Sequence, residues 1–297
     1  MVGPMPAQAD GGMVVVTPTY APDLELFADL HASVLRCFPE DVRHLVVVTQ
    51  PDLSPFRRFE GPRCDVLGVG DVLPASVRAL PLSKLWLNLR RPFPPLRGWI
   101  IQQLVKLAVT AQAPERVVVT VDSDIVFIRP VTTATFVPGG QVRLYRLDGG
   151  VDSSLDRHVR WHSVSRELLG LPPAPPPPLP DYVTALNSWD PEVARRMLAR
   201  VEEVTGRGWL AAVGRELHFS ECMLYGVYAD EVEHAKGLLT TDDSLCHTYW
   251  GKEPLTVEGA TDVITAAAPQ DVAYMISAKS YTPLAVRREA HARVFAG

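Results

Sequence analysis

Three valine-rich runs decide what this chain can become. Met13 to Thr17 (MVVVT), His44 to Thr49 (HLVVVT) and Val117 to Val121 (VVVTV) carry almost nothing polar and are dense in β-branched residues. Each therefore reads as a strand buried on both faces, which belongs in a parallel sheet covered by helices. Between the first two runs, Leu24, Phe27, Leu30, Val34 and Leu35 recur at helical spacing, with Asp23 placed to cap the helix. Strand, helix and strand within residues 13–49 make a βαβ unit with a right-handed crossover. Pro18-Thr19-Tyr20 and Gln50-Pro51-Asp52 close the two strands and fall along the carboxyl edge, where open α/β sheets bind ligands.

The rest of the chain supports an α/β reading. A further strand is expected over 65–69, and residues 74–97 show no clean period beyond one short helix. Gly98 to Ala111 reads as a helix burying Ile100, Ile101, Leu104, Val105 and Ala108, with Gln102 and Lys106 four apart on another face. That face either is solvated or presents an amide and a cation to a diphosphate. Gln141 to Arg146 alternates as a half-exposed strand, and Gly149-Gly150 reads as a loop that lets backbone approach a ligand. The run 171–180 (LPPAPPPPLP) is extended polyproline and suits a strap or a pocket wall rather than a sheet centre. Asp190 and Pro191 open a helix to Val204, Ser220 caps a helix through Tyr228, 272–278 reads as a strand, and an Arg-rich helix with a solvated face closes the chain from Pro283.

Composition narrows the function. With 297 residues, 47% hydrophobic, the chain can bury a large core. A net charge of −5 without any basic and aromatic cluster excludes nucleic acid as the expected partner. The first dozen residues lack a charged and then apolar leader, so they read as a disordered lead and the expected compartment is the cytoplasm. No apolar run reaches membrane-spanning length. Cys37, Cys64, Cys222 and Cys246 have no paired spacing and read as buried and reduced. The 24 Arg against 5 Lys, with much Ala, Pro and Val, suggest a GC-rich bacterial genome.

The run at 117–121 ends in Asp122-Ser123-Asp124. Two carboxylates one residue apart at the carboxyl end of a buried strand offer hard oxygens to Mg2+ or Mn2+ and to the phosphates such an ion holds. The competing reading is a turn held by an aspartate side chain. His158 and His162, four apart, would need a further ligand to hold a metal. Glu221, in the first turn of its helix, is also where the helix dipole alone favours a carboxylate.

Taken together, GWIIQQLVKLAV, VDSDIVFIRPV, FSECMLYGVY and CHTYW resemble the GT-A glycosyltransferases, and in particular a little-characterised bacterial group with an Asp-x-Asp motif and a C-terminal metal-binding histidine. His247, Gly251, Lys252 and Pro254 are similar to the His-x-x-Gly-x-x-Lys-Pro ending of some of them, although Gly251 stands four residues after His247 rather than three. The resemblance covers about 13–255. It implies a Rossmann-like mixed sheet flanked by helices in one domain, residues 13–297, with a nucleotide-binding half at 13–130 and an acceptor half at 131–297.

The activity implied is metal-dependent transfer of a sugar from a nucleotide-sugar, a UDP-sugar for preference, to a hydroxyl of a small molecule or glycan. Asp124 would bind the Mn2+ or Mg2+ directly, Asp122 through water or with the ribose, and His247 would complete the ligands. Thr17, Pro18, Thr19 and Tyr20 would cradle base and ribose, while Lys106, Ser123 and Lys252 would meet the donor. Glu221 would serve beside the acceptor, as base or as a stabiliser of positive charge. Tyr182, Trp189 and Trp250 offer surfaces for sugar rings or for the core. Two rivals stand beside this reading. One is a haloacid-dehalogenase-like phosphatase using Asp122 and Asp124 with Asp242-Asp243, and the other is a non-catalytic nucleotide-sugar binder.

Overall fold

The computed structural model describes residues 12–80, 85–89 and 91–295. The expected disordered lead lies outside these apart from Gly12, whose carbonyl accepts from the Arg116 amide at 2.8 Å. From the N-terminus, β1 (Met13–Pro18) passes through α1 (Leu24–Cys37) to β2 (Arg43–Val48), and α2 (Leu53–Phe56) leads to β3 (Cys64–Gly68). Then follow α3 (Val69–Val72), β4 (Val77–Ala79), β5 (Leu85–Asn88), β6 (Arg91–Arg97), α4 (Gly98–Gln112), β7 (Val117–Val121) and β8 (Ile125–Phe127). The second half contains α5 (Thr133–Phe136), β9 (Val142–Tyr145), β10 (Leu147–Val151), α6 (Asp156–Leu169), β11 (Leu179–Asp181), β12 (Leu186–Trp189), α7 (Pro191–Thr205), α8 (Trp209–Val213) and α9 (Glu221–Val227). It closes with β13 (Leu238–Thr241), β14 (Cys246–Tyr249), α10 (Val257–Thr265), β15 (Ala273–Ile276) and α11 (Leu284–Phe295).

The valine runs become the middle of a five-stranded sheet in the order β12-β7-β1-β2-β3. β1 is parallel to both β2 and β7, β2 is parallel to β3, and β12 runs antiparallel beside β7. Every residue of β1 and β7 is buried, as strands covered on both faces require. This mixed central sheet flanked by helices is the architecture expected. A second sheet, β14-β15-β8, carries the chain beyond Asp124. One apolar core includes residues from Met13 to Met275, and a smaller cluster of Ala260, Ile264, Tyr274, Ile276 and Ala290 joins α10, α11 and β15.

Several local expectations give way to tertiary context. On α1, Leu35 is 40% exposed, and the buried face is Phe27, Leu30, His31 and Val34. Asp23 makes no side-chain capping bond, because it ends a 3-10 turn at Ala21–Asp23 that leads straight into the helix, and its backbone (φ −96°, ψ 9°) lacks the extended conformation of a cap. The aperiodic stretch 74–97 holds the three-stranded antiparallel sheet β4-β5-β6. Gly149 and Gly150 lie in β10, paired with β11. A Cβ on Gly150 would stand 2.9 Å from the Asp181 Cβ, so that glycine admits a neighbouring strand. The proline run ends in β11, an edge ribbon as its missing N–H groups dictate. Of the closing helix's arginines, Arg287 is buried rather than solvated.

Candidate functional site

The chain leaves β1 on one side toward β2, while β7 lies on the other side of β1, so the crevice between the carboxyl ends of β1 and β7 is the sheet's switch point. The two ends are tied there by a hydrogen bond of 2.7 Å from the Ser123 hydroxyl to the Thr19 hydroxyl. Four predicted donor residues sit at this edge, and their environments differ. Thr17 is fully buried and its hydroxyl meets His44 Nε2 at 2.9 Å, so it faces the core and not a ligand. Pro18 ends β1, and Thr19 is buried in the hydroxyl bridge. Tyr20 is 40% exposed, and partial burial, then the charges of Asp23 and Tyr281, raise its phenol.

Behind the crevice lies a buried cation. Lys106 on α4 is 8% exposed, and its Nζ stands 2.9 Å from Asp122 Oδ1 and 3.1 Å from Glu221 Oε1. Burial works against its charge, but Asp122 and then Glu221 outweigh it, so the ammonium is held protonated well above its usual range. The solvated-face reading of Lys106 is thereby excluded. Glu221 opens α9 under a Ser220 cap, as expected, and its own amide donates to Gln103 Oε1 at 2.9 Å. Gln103, not Gln102, is thus the amide that matters. Spacing from Lys106 allows either i−4 or i−3, and only packing chooses.

Asp124 is the more enclosed of the two aspartates. Its Oδ2 accepts from the Ala278 amide at 2.6 Å, and its Oδ1 is buried with no hydrogen-bond partner among the described residues. Burial first, then Asp122, pushes its carboxyl up to about 6. Asp23 is likewise pushed up to about 6, by burial and then by Asp122, so the turn before α1 contributes a third carboxylate to the same field. An unpartnered buried oxygen among hard carboxylate donors is a suitable ligand for a divalent cation.

The three-ligand metal set is not brought together. Among the described residues no group of three or more His, Cys, Asp or Glu side chains is arranged to hold a metal. Strand order supplies the reason: His247 on β14 pairs with Tyr274 on β15, which pairs with Val126 on β8. Two strand spacings, roughly 9–10 Å, therefore lie between the His247 backbone and β8. Lys252 is exposed on the segment after β14, and Gly251 gives way to the ring of Tyr249 rather than to a phosphate. The chain beside Asp124 is instead Ser277–Tyr281, with exposed Lys279 and with Tyr281 80% exposed. Its contact is a backbone amide, which leaves no mark in a sequence.

Other candidates serve the scaffold. Tyr182 and Trp189 are buried; the Tyr182 hydroxyl donates to Asp230 at 2.6 Å, and Trp189 stacks on Tyr225. Trp250 remains exposed. His162 Nε2 lies 2.6 Å from the Pro180 carbonyl and His158 Nδ1 lies 3.2 Å from Asp181, so this pair ties α6 to β11. Asp243 is occupied by Arg143 and the Leu245 amide. All four cysteines are free and buried. No helix among the described residues is long and apolar enough to cross a membrane.

No curated protein matches the chain. Two of the solved structures that are similar to it follow. Mouse xyloside xylosyltransferase 1, in its apo form, has 12% identity and a TM-score of 0.46, covering 93% of this chain and 100% of that one. An active-site mutant of LgtC has 12% identity and a TM-score of 0.46, covering 95% of each chain. Residues 13–285 match the "Family of unknown function (DUF6492)", and the chain belongs to that family.

Proposed function

We propose that the protein is a metal-dependent GT-A glycosyltransferase that transfers a sugar from a nucleotide-sugar, a UDP-sugar for preference, to a hydroxyl of a small molecule or glycan. The observation that carries this reading is the linked set Asp122, Lys106 and Glu221 at the switch point, beside the unpartnered oxygen of Asp124. Asp122 and Asp124 would hold Mn2+ or Mg2+, which when bound neutralises charge on a departing diphosphate. Lys106 joins the carboxylates on the two sides of the reaction. It holds Asp122 toward the donor and Glu221 toward the acceptor, and it is placed to shift toward phosphate oxygens when a donor enters. Tyr20, just after β1, and Tyr281, on the segment whose Ala278 amide meets Asp124, are exposed rings that would serve a base or sugar. In this reading residues 13–130 bind the nucleotide and 131–297 shape the acceptor side.

The ion pair also bears on Glu221. Its Oε1 stands 3.1 Å from the Lys106 ammonium, so that oxygen is already engaged in an ion pair before any acceptor enters. That favours a role in stabilising positive charge on the transferred sugar over removal of the acceptor's proton.

The test is calorimetric titration of UDP and GDP, with and without Mn2+, into wild type and Asp124→Ala. Binding of one nucleotide only with metal, lost in the variant, is the expected result. No binding of either nucleotide under any condition overturns the reading. Turnover of a bound donor, lost in Glu221→Gln at unchanged nucleotide affinity, separates an enzyme from a silent binder.

A further inference from the structure

A cavity of about 190 Å3 lies among α1, β8, β15 and α11. Ser123 and Asp124 belong to its wall, but Asp122, Lys106 and Glu221 do not, so it approaches the Asp-x-Asp segment from a different side than the switch-point crevice. Exposed Ala32, Arg36 and Arg288 are among its lining residues, with Leu26, Val126 and Ile276 as apolar surface. A cavity of roughly 150 Å3 already admits a benzene ring, so this one holds a ring with a small substituent.

Its charges are unevenly matched. Arg288 is neutralised by Asp29 and Glu25. Arg287 is 7% exposed and gives its hydrogen bonds to the carbonyls of Thr282, Ile276 and Ser277. Arg36 gives one to the Phe127 carbonyl at 3.0 Å. Neutral carbonyls satisfy those donors without cancelling their charge. Burial lowers the Arg287 guanidinium below its usual range, with Asp124, Tyr274, Asp23 and Asp29 acting the other way.

We propose that this cavity is an effector site for a small organic anion about one ring in size. Its carboxylate or phosphate meets Arg36 and the field of Arg287, and its apolar body lies on Leu26, Val126 and Ile276. Because Asp124 forms part of the wall, occupancy changes affinity at the nucleotide crevice. That consequence rests on the nucleotide-sugar reading, whereas binding of the anion does not.

The experiment titrates benzoate, phenyl phosphate, inorganic phosphate and benzyl alcohol into the full chain without nucleotide, as wild type, Ala32→Trp and Arg36→Gln. At least one ring anion binds wild type, and the stronger of the two identifies the anionic group. Inorganic phosphate and benzyl alcohol bind more weakly by roughly tenfold, and each variant loses roughly tenfold for the ring anion. Circular dichroism and thermal midpoint check that the variants fold. Ala32 is exposed, so filling it carries the test if Arg36→Gln fails to fold. Failure of both ring anions to bind, unchanged binding in a folded variant, or inorganic phosphate matching phenyl phosphate overturns the proposal. Repeating the titration with UDP and Mn2+ measures the coupling, which must be reciprocal. Anion binding without nucleotide binding sinks the donor reading and leaves the cavity standing, and the reverse result does the opposite.

Discussion

Lys106 and Asp124 carry opposite electrostatic burdens, and each makes a prediction. Lys106→Met leaves Glu221 buried without its cation, and breaking a buried pair of this kind costs about 3–5 kcal/mol. Urea unfolding of Lys106→Met, Glu221→Gln and the double variant tests this. The double variant is expected to recover most of the loss, and a double variant no more stable than Lys106→Met would show that the pair is not what the lysine contributes. Asp124 is strained in the other direction. Its folded pKa is raised, so its stability contribution is full below the usual carboxylate pKa and is lost as pH rises through about 6. In metal-free protein, Asp124→Asn is therefore more stable than wild type at pH 7, by an amount of the order of 2 kcal/mol. The gap closes toward pH 4. Mn2+ reverses the order at pH 7 by stabilising wild type alone, which thermal melts with and without the ion would record.

At the scale of elements, α1 is pinned to the sheet by a polar chain inside the core. His31 Nδ1 meets His44 Nδ1 at 3.1 Å, His44 Nε2 meets the Thr17 hydroxyl at 2.9 Å, and Phe27 packs against both rings. Burial lowers both histidines, with Arg63 adding to the effect on His31 and His31 adding to that on His44, which lies well below the usual range. The sign is opposite to that of Asp124: this stability is present above the usual histidine pKa and lost as pH falls through it. His44→Gln is expected to flatten the fall of stability with acid below pH ~6.5, measured by chemical unfolding across pH. An unchanged slope would place the proton uptake elsewhere. A second contact fixes α9, because a Cβ on Gly226 would run into the Tyr182 ring. Gly226→Ala is expected to destabilise by about 1–3 kcal/mol in urea unfolding, and turnover of a bound donor should fall with it, since α9 carries Glu221.

For the whole molecule, the interposition of β15 between β14 and β8 is decisive. If strand order governs the site, His247→Ala keeps metal-dependent nucleotide affinity within about twofold, a change under half a kcal/mol, while Asp124→Ala abolishes it. Equal losses in the two variants would restore the histidine to the metal set. What was legible in the sequence is what short-range pattern controls. The valine runs specified buried parallel strands, 3.6-residue spacing specified α1, α4 and α7, and Asp190-Pro191 and Ser220 marked helix starts that form with those caps. The placing of Asp122 and Asp124 at a carboxyl edge followed from the same local reading. Strand order, the choice between Gln103 and Gln102, the inward turn of Thr17 and the Ala278 amide on Asp124 depend on contacts between residues far apart in the chain. Local periodicity carries no information about those contacts, because they are selected by how buried faces pack and how each buried polar group finds a partner.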